Sequence, residues 1–152
     1  MDLQPDELLT RLDDMVTHPA EEMGNEADTG VGGYNAIPGD IGASCLYAVY
    51  DPVSGTCTLA RAGHPPPVLV CPDGTTQVVD VPAGPPLGLG SLPFEATELT
   101  IPEGSLLALF TDGLVETRDH DIDERIDELR EALARSVPSL EELCDAVLGR
   151  GP

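Results

Sequence analysis

With 28 acidic residues against 7 lysines and arginines, a formal charge of −21 over 152 residues, the chain is repelled by phosphate backbones and anionic headgroups, which argues against nucleic acid and membrane surfaces as partners. Its apolar fraction of 41% suits a globular domain with its own core; without tryptophan and with aromatics at 3%, Leu, Val, Ile and Ala must do the packing. Cys45, Cys57, Cys71 and Cys144 lack zinc spacing, no export signal precedes them, and no apolar stretch approaches the ~20 residues of a membrane span. Free thiols in a reducing cytoplasm are therefore expected.

In chain order, Pro5 to Val16 reads as a helix, with Leu8, Leu9, Leu12, Met15 and Val16 on one face and proline in the first turn. From Pro19 to Gly42 the periodicity disappears among glycines and acids, and a mobile loop is expected. "CLYAVY" (Cys45–Tyr50) is a continuous apolar run of the kind covered on both faces. "DPVSG" turns it into "TCTLAR" (Thr56–Arg61). The prolines of "AGHPPP" (Ala62–Pro67) forbid helix and central strand. "VLVC", "PDG" and "TTQVVD" (Val68–Asp80) form a hairpin, and "PAGPPLGLGSLP" (Pro82–Pro93) reads as a long turn-rich connection. "ATELTI" runs into the turn "PEG" (Pro102–Gly104), from which "SLLALF" (Ser105–Phe110) returns. A helix over Asp121–Ser136 has Ile122, Ile126, Leu129 and Leu133 on one face. A last helix opens on the capping box Ser139/Glu142, with the stripe Leu140, Leu143, Val147 and Leu148. Helix, antiparallel strands, then helices is an α+β order.

One acid stands out. Asp112 ends the apolar run Leu106–Phe110, within "TDG", so a carboxylate is delivered to a sheet terminus. Gly113 behind it permits a sharp turn or close approach to a ligand. Hard cations such as Mg²⁺ and Mn²⁺ take carboxylate oxygens, whereas the ordinary role of such an Asp is a turn or a cap. "DHDIDE" (Asp119–Glu124) imitates the start of a calcium loop but has Glu124 where glycine is needed, and its acids suit the first turn of the following helix. His64 lacks a marked nucleophile as partner and reads as a residue held in a proline-stiffened turn. "GPPLGLG" lacks the lysine of a phosphate loop.

Taken together, "CLYAVYDPVSG", "ARAGHPPPVLVCPDG", "PPLGLG" and "PEGSLLALFTDGLVETRD" resemble the second half of the bacterial SpoIIE-type domain. That family belongs to the metal-dependent PPM-type protein serine/threonine phosphatases, related to protein phosphatase 2C. The resemblance runs from about Leu3 to about Leu148 and treats residues 1–152 as one partial domain. It implies a partial α-β-β-α sandwich of antiparallel sheets flanked by helices, lacking the family's N-terminal strands and last strand. It implies hydrolysis of phosphoserine or phosphothreonine by water held between two Mn²⁺ or Mg²⁺ ions. It assigns Asp112 as the catalytic metal ligand, with Thr111, Gly113 and Glu116 in support.

The resemblance also places further metal-binding aspartates before Met1 and after the final helix. One carboxylate does not hold two divalent ions, so little or no activity is expected from these residues alone. The expected partner is a phosphorylated regulator such as an anti-anti-sigma-like factor, and open sheet edges offer a route to oligomers. The alternative is a non-catalytic, phosphatase-like binding module in a partner-switching system.

Overall fold

The computed structural model describes residues 3–18, 42–90, 93–135 and 139–149. The expected loop over residues 19–42 lies, but for Gly42, outside the described residues, as does Ser136. The architecture is α+β, with two sheets and helices. The chain divides into two compact units: Met1–Pro52 with Thr56–His64 and Val81–Leu99, and Val53–Gly55 with Pro65–Asp80 and Thr100–Pro152.

In the first unit, helix α1 (Pro5–Thr17) begins where the sequence predicts, with proline in its first turn and the Gln4 amide donating to Glu7 Oε2 at 3.2 Å. Strands β1 (Cys45–Asp51) and β2 (Thr56–Ala62) pair antiparallel, Cys45 opposite Ala62 through Asp51 opposite Thr56. β5 (Ala83–Gly84) runs parallel to β2, and β6 (Thr97–Thr100) also pairs with β2. β5 corrects the reading of residues 82–93 as connection only. A Cβ at Gly84 would lie 2.5 Å from the Arg61 carbonyl oxygen and 2.7 Å from Phe94 Cδ1, so the close approach that makes this strand requires glycine.

Leu9 is fully buried and packs with Ala60, Ala62, Leu87 and Phe94, with Leu12 and Cys45 at the margin. Burial of a leucine like Leu9 contributes about 1.5–3 kcal/mol. The buried stripe of α1 follows the predicted one at Leu9 and Leu12 and departs from it at two positions. Met15 is 70% exposed, while Asp13 is 2% exposed, its Oδ1 accepting from the Gly88 amide at 2.8 Å. That bond is what lets a carboxylate occupy a helix's apolar side.

In the second unit the sheet order is β4-β3-β7, all antiparallel: β4 (Thr76–Val78), β3 (Val68–Val70) and β7 (Leu106–Ala108). Asp73 Oδ1 accepts from Thr75 N at 2.9 Å and Thr75 Oγ1 at 2.6 Å, closing the β3–β4 turn. These bonds hold its carboxyl below the usual carboxylate range.

Three helices complete this unit: α2 (Asp112–Val115), α3 (Ile122–Leu133) and α4 (Leu140–Leu148). Val68, Val70, Val115, Leu129, Leu133 and Leu143 form its core. The Arg130 guanidinium ties α3 to β4, Nη2 donating to the Thr76 carbonyl at 2.9 Å. Ser139 caps α4 as the sequence predicts, its Oγ accepting from Glu142 N at 3.1 Å.

The strands on either side of "PEG" do not pair with each other. β6 joins β2 in one sheet and β7 joins β3 in the other. The turn itself is present, Ser105 N donating to Pro102 O at 3.1 Å. It carries the chain from one sheet to the next instead of folding two strands together.

Candidate functional site

The segment from β7 to α3 holds every residue singled out around Asp112. β7 ends at Ala108, and Phe110 packs against the core of the second unit. Thr111, in extended conformation, precedes α2, and its hydroxyl makes no capping bond to the helix. Asp112 is the first residue of α2, Gly113 the second, and Glu116 follows as the C-cap, its amide donating to the Asp112 carbonyl at 2.7 Å. Val115 is 1% exposed and Leu114 packs beside it, so the far half of α2 is pinned into the core. Anchored in this way, a single helical turn holds a partly exposed carboxylate at the end of a strand.

Among the described residues no hydrogen bond or ion pair engages the Asp112 carboxylate. It is not consumed in capping, the ordinary role of such a residue. Gly113 corrects one expectation. It has helical backbone, and a Cβ there would meet nothing within 4 Å. No sharp turn requires this glycine, although the open space beside it leaves room for an approaching group. Thr111 and Leu114 also line an apolar cavity of about 550 Å³ between β7, α3 and α4, with Leu133, Leu143 and Val147 on its walls.

The acids of Asp119–Glu124 serve the helix. Asp121 Oδ1 accepts from Asp123 N at 3.4 Å at the start of α3, and His120 Nδ1 lies 3.9 Å from Glu124. His64 belongs to the first unit, where its carbonyl accepts from Arg61 Nη1 at 2.8 Å. Arg61, which drew no notice in the sequence, also donates from Nε to the Val81 carbonyl at 2.8 Å and so clasps two proline-flanked loops. Its signal was a lone cation ending a strand beside them.

The metal pair that the resemblance implies needs several converging oxygen donors. Among the described residues no group of three or more His, Cys, Asp and Glu side chains could hold a metal ion. Asp112 has an available carboxylate but no converging oxygens around it, and these residues do not fit a pair of divalent ions. No described helix is long and apolar enough to cross a membrane.

The family model for stage II sporulation protein E (SpoIIE) matches residues 1–150. The chain belongs to the SpoIIE family. Solved structures agree with a PPM-type phosphatase fold. The RsbU and RsbW domains of Rv1364c from Mycobacterium tuberculosis match with 29% identity and a TM-score of 0.65, over 74% of this chain and 32% of that one. The phosphatase domain of SpoIIE from Bacillus subtilis, presoaked with manganese, matches at 14% identity and a TM-score of 0.58, over 98% of this chain and 66% of that one. RsbX in complex with magnesium matches at 19% identity and a TM-score of 0.54, over 71% of this chain and 48% of that one. This SpoIIE-family chain therefore spans between 32% and 66% of the length of those structures.

Proposed function

We propose that this chain is the C-terminal part of a metal-dependent protein serine/threonine phosphatase domain, which removes phosphate from a phosphorylated regulatory protein of the anti-anti-sigma kind in the cytoplasm. Asp112 is its inner-sphere ligand for Mn²⁺ or Mg²⁺, and Thr111, Gly113 and Glu116 support it. The observation that carries this reading is the uncommitted Asp112 carboxylate, held at the end of β7 by the buried Val115. The magnesium of the RsbX complex and the manganese presoak of the SpoIIE phosphatase domain support a hard divalent ion as its partner.

Because Asp112 stands without converging donors among the described residues, the chain alone is weakly active or inactive. The same observation favours a second reading, a phosphatase-like binding module without chemistry in a partner-switching system.

Titration calorimetry with Mn²⁺ separates the two. Weak binding whose heat disappears in Asp112→Ala supports the metal-ligand reading; heats unchanged by that substitution overturn it and leave the binding module. Hydrolysis of p-nitrophenyl phosphate in excess Mn²⁺ is expected to be no faster than for the Asp112→Ala chain. Asp112-dependent turnover would show that this chain carries a complete site.

A further inference from the structure

We draw no further inference here: the strongest candidate, the apolar cavity of about 550 Å³ between β7, α3 and α4 with the exposed Cys144 on its wall, carries nothing because nothing in the structure shows what covers it.

Discussion

β1 and β2 are matched residue for residue across one antiparallel ladder, and they live in different surroundings. β2 is buried along most of its length, with Cys57, Leu59, Ala60 and Ala62 at 1% exposure or less. β1 is exposed from Tyr47 to Asp51, although its sequence is the more apolar of the two. Neighbours make the difference. β2 has β1 on one side and β5 and β6 on the other, whereas β1 has a single strand partner among the described residues and meets the α1 core at Cys45. Hydropathy states what a strand can bury; the number of its neighbours decides what it does bury.

The comparison is broken most severely at Leu59, which is opposite Ala48 and fully buried. Leu59→Ala should destabilise the fold by about 2–5 kcal/mol in urea denaturation. A loss under about 1 kcal/mol would mean that β2 is no more protected than β1.

Thiol chemistry sharpens the contrast by rate. Cys144 is exposed, Cys45 half-buried and Cys57 buried, and burial pushes the Cys45 and Cys57 thiols up from the ordinary value. Reaction with Ellman's reagent should run in the order Cys144, Cys45, Cys57. Because a raised thiol pKa in the folded state penalises the thiolate, the stability these two sites contribute is fully present below the ordinary thiol pKa. It is lost as pH rises beyond that value. Cys57 reacting as quickly as Cys45 would erase the distinction. The smallest effect belongs to Tyr50, half exposed and opposite Cys57: Tyr50→Ala should cost less than about 1 kcal/mol.

What could be read from the sequence was local. The leucines of α1, the Ser139 cap, the β1–β2 and β3–β4 turns and the placing of Asp112 at a strand's end all follow from residues close to one another in the chain. What escaped was pairing at a distance. β5 exists because Gly84 lets two backbones touch, and its partner is Arg61. β6 and β7 flank one tight turn, and alternation alone does not reveal that they serve different sheets. Asp13 looked like one more solvated acid until the Gly88 amide was found across from it. At the candidate site, the place of Asp112 was legible, but the short helix that holds it was hidden inside "TDGLV", a stretch too brief for periodicity to speak.

The crossing at Pro102–Gly104 bears on the order of synthesis. Strands of the two sheets alternate along the chain: β1 and β2 belong to the first, β3 and β4 to the second, β5 and β6 to the first again, β7 to the second. A ribosome delivers β3 and β4 while β2 still waits for β5 and β6, so neither unit can be finished before work on the other has begun. Such interleaved pairing slows folding and leaves apolar edges bare in the nascent chain until the later strands arrive.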